Sequence, residues 1–230
     1  MLSRRLIVAV SFFTVMALSF VMVFVFYRTA SPHPWPESYD SIFTFTVDDP
    51  GSGFDGEISG APIYIDEIDY PAINVTQSSL GIDGDYLYIR LDYAAVIPPF
   101  QAMISAEGSI EEQIVTRQCT TIAFNTDGDV NTGSERGADV LLTVQYSYGN
   151  ETDVYGAYDF NGSEGASLDG EIGAGGMEYD YAILRYNILE CSQYLSSGVT
   201  VSVELWSEAE SDLYNRFTYE EIVPVEWVIP

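Results

Sequence analysis

Lysine is absent from this 230-residue chain: all eight basic residues are Arg, set against 35 acidic ones for a net charge of −27. Such a surface repels polyanions, which excludes nucleic acid and anionic lipid headgroups as partners for the acidic part. Histidine is nearly absent too. The one copy, His33, stands in a Pro-rich stretch, so no Ser-His-Asp or Cys-His pair can form in the remainder. Only two cysteines occur, too few for a Cys-based zinc site. There is no phosphate-binding glycine loop and no repeat of 20–50 residues. Paired carboxylates for glycoside hydrolysis carry no information where 35 acids make some pair inevitable. The expectation is a protein that binds rather than catalyses.

What is present begins with Leu6–Tyr27, LIVAVSFFTVMALSFVMVFVFY, without a charge in it. As a helix it would extend about 33 Å at about 1.5 Å per residue, enough to span a hydrocarbon core of about 30 Å. Arg4 and Arg5 precede it and Arg28 follows, which keeps the N-terminus cytoplasmic and puts the rest outside. A cleaved signal, with small residues at Thr29–Ala30–Ser31, is the alternative. Both export the remainder. The expected organisation is a transmembrane helix or signal over 1–28, a spacer over 29–40 (TASPHPWPESYD) and one domain over 41–230. Five Arg then face 35 acids in the exported part, about −30.

From Ser41 the apolar pattern has period two. In Tyr86–Tyr93, Leu87, Ile89, Leu91 and Tyr93 share one face and Tyr88, Arg90 and Asp92 the other. Strands are expected at Ile42–Val47, Ile73–Ser78, Gln113–Asn125, Ala138–Tyr148, Asp153–Phe160, Glu178–Ile188, Val199–Trp206 and Arg216–Ile229. The glycine-rich stretches DDPGSGFDGEISG and NGSEGASLDGEIGAGG read as loops, and Leu189–Leu195 as a helical turn. Nine or ten strands with a trace of helix predict an all-β, antiparallel, jelly-roll-like β-sandwich; a barrel is the alternative.

Three sets of residues invite chemistry. Asp127, Asp129 and Asn131 place oxygens at alternate positions of NTDGDVNTGSERGAD, with Glu135 following, as a Ca²⁺ site requires. An acidic turn bonding its own backbone gives the same pattern. Asp48, Asp49, Asp55 and Glu57 form a second acidic loop of the same ambiguity. Trp206 shares a face with Thr200, Ser202 and Glu204, opposite Val201, Val203 and Leu205. It is therefore a platform for stacking a sugar ring, with Tyr86, Tyr88 and Arg90 on a similar outward face, unless a loop covers it. Cys119 and Cys191 are placed for a disulfide or remain as two buried thiols. Asn74, Asn150 and Asn161 head glycan-acceptor triplets.

The run IAFNTDGDVNTG, GADVLLTVQY and DVYGAYDF resembles the core of the CBM9-like and DOMON-like extracellular β-sandwich superfamily, where a strand ends in an acidic D-x-D and TG turn followed by GAD and an alternating strand. Ile65–Asp69 with GDYLYIRLDY is similar to its earlier strand pair, and YAILRYNILECSQYLSSGVTVSVELW to its late strand, short helix and strand. The resemblance covers about residues 41–206. It implies an exported, non-catalytic module, often for sugars and sometimes with Ca²⁺. Haem-binding members use Met and His ligands, and no His lies in this domain. A glycan or an envelope protein is thus the expected partner, at the outer face of the cell membrane.

Overall fold

The computed structural model describes residues 42–46, 54–58, 61–69, 71–98, 100–106, 109–133, 137–149, 151–158, 165–211 and 216–230. All of them belong to the unit Pro36–Pro230. The apolar run Leu6–Tyr27 lies outside the described residues, as does the spacer; within them no helix is long and apolar enough to cross a membrane.

Thirteen strands are described: β1 (Phe43–Thr46), β2 (Phe54–Ile58), β3 (Ala61–Asp69), β4 (Val75–Asp83), β5 (Tyr86–Ile97), β6 (Gln101–Ala106), β7 (Ser109–Asn125), β8 (Val140–Ser147), β9 (Glu151–Tyr158), β10 (Ala166–Gly175), β11 (Tyr179–Asn187), β12 (Thr200–Ser211) and β13 (Arg216–Val228). Short 3-10 turns occupy Pro71–Ile73 and Leu189–Cys191. Every pairing is antiparallel, in the order β1-β4-β5-β11-β10-β9-β8-β7-β12-β13-β2-β3-β6, and β6 returns to pair with β7.

β10 divides this continuous sheet in two. Ala166–Asp169 pairs with β9, whereas Gly170–Gly175 pairs with β11. The sheet turns over at that strand, and the inner faces of its two halves share one core. Leu87, Ile89 and Leu91 of β5 meet Ile122 and Phe124 of β7, Val140, Leu142 and Val144 of β8, and Val201, Val203 and Leu205 of β12. The inward residues of β5 expected from period two are all buried. Polar ties cross the core as well: Tyr93 Oη donates to Thr120 Oγ1 at 3.1 Å, and Tyr186 Oη donates to the Thr143 carbonyl at 3.1 Å. Trp227 closes one end, stacked on Phe43 and tilted against Phe124, each at 6.2 Å. At the other end, pairings run from β7 through β12, β13, β2, β3 and β6 back to β7. The sheet of this unit is therefore sandwich-like in its body and barrel-like where that circuit closes.

The glycine-rich stretches behave differently from the sequence expectation. Phe54–Ile58, with Asp55 and Glu57, is a strand paired to β3 and β13 rather than a loop. Ala166–Gly175 is the strand shared by both halves. Gly170 there is a packing residue: a Cβ would lie 2.7 Å from the Tyr186 ring and 2.8 Å from Val154 Cγ1. Its small size lets the two halves approach. Gly170→Ala should therefore overpack this corner and cost about 1–3 kcal/mol; urea unfolding of the variant against the parent chain measures it, and an unchanged midpoint would contradict the role.

Candidate functional site on the outer face of β7, β8, β9 and β12

Register assembles an outward face that no single strand reveals. Trp206 stands opposite Thr121, Thr121 opposite Thr143, and Thr143 opposite Tyr155. The next row holds Glu208, Cys119, Gln145 and Asp153, and the row after it Glu210, Arg117, Ser147 and Glu151. These rows are tied laterally. Thr121 and Thr143 share a hydroxyl hydrogen bond of 3.3 Å, Arg117 Nη1 donates to Gln145 Oε1 at 3.2 Å, and Arg117 pairs with Glu210. A depression of about 280 Å³ opens on this face, lined by Thr121, Leu141, Thr143, Tyr155, Ala157, Trp206 and Glu208. Tyr155 is 47% exposed there.

Trp206 shares the outward face that alternation assigned to it but is only 5% exposed, so of the two alternatives the covered ring is found and the open platform is not. Ala123 and Ala138 pack with it, and Leu141 lies against them, in a small cluster separate from the main core. The cover comes from the segment after β7 folding back. Asp139 is buried, and its Oδ2 accepts from Thr126 N at 2.7 Å and Thr126 Oγ1 at 2.8 Å, pinning the two ends of the loop together. Gly137, at φ +76°, lets the chain pass against Val130, where a side chain would collide with backbone. Trp206 lines the depression while almost fully covered; Tyr155 is its exposed ring. Nothing in the local pattern of Val199–Trp206 signals a lid 70 residues earlier in the chain.

The acidic turn uses its own side chains. Asp127 Oδ1 accepts from Asp129 N at 2.8 Å and Asp127 Oδ2 from Thr132 Oγ1 at 2.9 Å. Asp129 Oδ1 accepts from Asn131 N at 2.9 Å and Asn131 Nδ2 at 2.8 Å, which holds the Asp129 carboxyl below its ordinary range. Asn125 Oδ1 takes Gly128 N at 2.6 Å. These are side-chain-capped turns. Among the described residues no three His, Cys, Asp or Glu side chains gather to hold a metal; Glu135, Asp48 and Asp49 lie outside them. Beside this turn a second cavity of about 340 Å³ is lined by Asn125, Thr126, Asp127, Gly128, Thr200, Ser202, Pro224 and Glu226. Sequence reasoning missed it because Ser202 meets Asn125 and Glu226 only through strand register.

Tyr86, Tyr88 and Arg90 do not join Trp206. They lie on β5, in the other half of the sheet, with the core between. Tyr88 is 0% exposed, against the expected outward ring. Arg185 covers it from β11: its guanidinium sits 4.7 Å from the centroid of Tyr86 and pairs with Glu171. Arg90 binds Asp92 through Nε at 3.0 Å and lies 5.1 Å from the centroid of Tyr181. These residues form a ladder of cation–π and ion-pair contacts within their own sheet.

The disulfide expectation is also corrected, since both thiols are free and buried. Cys119 faces outward from β7, its Sγ 3.8 Å from Gln145 Oε1 and 4.0 Å from Tyr155 Oη, whereas Cys191 belongs to the main core. The β7 backbone stands between them. Burial pushes both thiols up to about 11 from 9.0, with Glu208 adding to the effect at Cys119 and Glu190 at Cys191. Asn74 is half-buried between the first 3-10 turn and β4, its carbonyl accepting from Ala94 N at 2.9 Å. Asn150 and Asn161 lie outside the described residues.

No protein-family model matches this chain, and a comparison with curated proteins finds no match.

Two measurements follow from this geometry. Below pH 9 the thiols are protonated in both folded and unfolded chains; between about 9 and 11 the unfolded chain releases protons that the folded one retains. Stability should therefore fall as pH rises through that window, and less steeply between pH 9 and 10 in a Cys119→Ala/Cys191→Ala double variant; equal slopes would refute the burial assignment. Because Asp127 and Asp129 already accept the loop's own donors, EDTA or added CaCl₂ should leave the melting temperature within about 1 °C; a larger Ca²⁺-dependent rise would place a metal at this turn.

Proposed function

We propose that this protein is a membrane-anchored, extracytoplasmic, jelly-roll-like binding module that recognises glycans without acting on them chemically. The observation that carries the reading is the depression lined by half-exposed Tyr155, by Trp206, by the hydroxyls of Thr121 and Thr143 and by the carboxylate of Glu208. A sugar ring offers one apolar face for an aromatic and an equatorial rim of hydroxyls, and these side chains match both. The face suits ligands without negative charge. Every Arg whose side chain is described sits in an internal ion pair, Arg90 with Asp92, Arg117 with Glu210 and Arg185 with Glu171. Catalysis has little to draw on here: the Cys119 thiol is pushed up to about 11, which leaves it a poor nucleophile near neutrality. The export assignment rests on Leu6–Tyr27 with its flanking arginines, and the glycan class is also what the CBM9-like resemblance implies.

A second reading, an envelope or adhesion protein meeting other proteins, is favoured by one feature. Val96 and Tyr179 are large apolar side chains, 48% and 50% exposed, at the end of the β5–β11 pair, where Tyr179 pairs with Ile97. Such a rim suits a weak protein contact better than a sugar.

Tyr155→Ala should weaken polysaccharide binding about tenfold, near 1–2 kcal/mol, with an unchanged melting temperature. Affinity electrophoresis in gels containing soluble polysaccharide measures it, and retardation equal to that of the parent would reject the site. Protease added to intact cells should release the β domain; its survival would reject the exported orientation.

A further inference from the structure

Resting on the glycan reading above, we infer that the two cavities of the outer face are subsites of one track, and that the ligand is a linear, non-anionic polysaccharide chain rather than a single sugar or a chain end. The cavities share β12. Thr200 and Ser202 line one, Trp206 and Glu208 the other, and all four side chains project to the same side of the strand. Ser202 and Trp206 are four residues apart, about 13 Å at about 3.3 Å per residue, farther than one pyranose ring reaches. Between them Glu204 projects from the same face and is partly exposed.

The walls of the two subsites differ in a way that suits successive units of a chain. One offers the Tyr155 ring for stacking. Among the described residues the other has no aromatic lining; it presents the hydroxyls of Thr200 and Ser202 and the carboxylate of Glu226, and Asn125, Thr126 and Asp127, already bonded within the acidic turn, form its wall. The first fixes a ring plane and the second hydrogen-bonds hydroxyls, so a chain occupying both gains from each without paying twice for its lost freedom. The carboxylates along the track, Glu208, Glu204, Glu226 and Asp127, oppose a chain of uronic acids or sulfated sugars.

The test is a length series. Isothermal titration of the full chain in detergent with neutral glucan and mannan oligomers should show affinity rising about tenfold or more from disaccharide to hexasaccharide. Thr200→Trp, which blocks the second cavity at an exposed position, and Glu226→Ala, which removes a wall, should each abolish most of that gain while leaving disaccharide affinity within about twofold. Circular-dichroism melting checks that both variants fold. Equal affinity at every length, or a length dependence untouched by both variants, overturns the track; disaccharide binding that still needs Tyr155 would in that case leave the glycan reading standing. Tighter binding of an oligouronate than of the neutral oligomer overturns the charge selection. No binding of any oligomer removes both readings together.

Discussion

The close approach of two sheet halves at β10 is the constraint on which the rest depends. One strand donates its first four residues to β9 and its remainder to β11, so the halves cannot separate without breaking its hydrogen bonds. The corner holds because Gly170 leaves room for the Tyr186 ring and Val154. Once the halves face each other, alternation along β5, β7, β8 and β12 fills the space between them with aliphatic side chains. Burying such residues stabilises by about 1.5–3 kcal/mol each, against the backbone ordering cost of a long-range topology.

The same closure leaves two outer faces with different characters. On the half containing β5 and β11, each described arginine is flanked by an acid and a tyrosine, and the face is knitted to itself. On the half containing β7, β8, β9 and β12, hydroxyl, amide and carboxylate groups stand around an exposed tyrosine, and cavities open. A face that has satisfied its charges internally has little to offer a partner. A face of short polar side chains around an aromatic ring is suited to a polyhydroxylated one. The acidic turn after β7 serves this second face as structure: its Gly137–Asp139 end folds back to seat Trp206, and its Asn125–Gly128 end walls a cavity.

Much of the architecture was legible in the chain. The strands expected at Tyr86–Tyr93, Ala138–Tyr148, Glu178–Ile188 and Val199–Trp206 from apolar alternation are found, the first and last of them running on to Ile97 and Ser211, and the all-β class follows from their number. Glycine misled the reading of β2 and β10, because a residue without a side chain signals a turn and a tight packing corner alike. Trp206 is the sharper case. Its side of the strand was readable, its accessibility was not, since Ala138 reaches it from a loop distant in sequence. Tyr155 drew no attention because an aromatic in an alternating strand is ordinary until its row-mates Thr143, Thr121 and Trp206 are known.

By itself, then, the sequence determined which residues turn inward, how acidic the surface is, and the uncharged run that points to export, because period and charge are local properties of the chain. Which outward residues stand side by side, that Cys119 and Cys191 lie on opposite sides of a strand, and that Tyr155 rather than Trp206 presents the exposed ring were decided by tertiary structure alone. Those are matters of strand register and loop return, set by hydrogen bonds between segments up to about a hundred residues apart, and no local pattern encodes them.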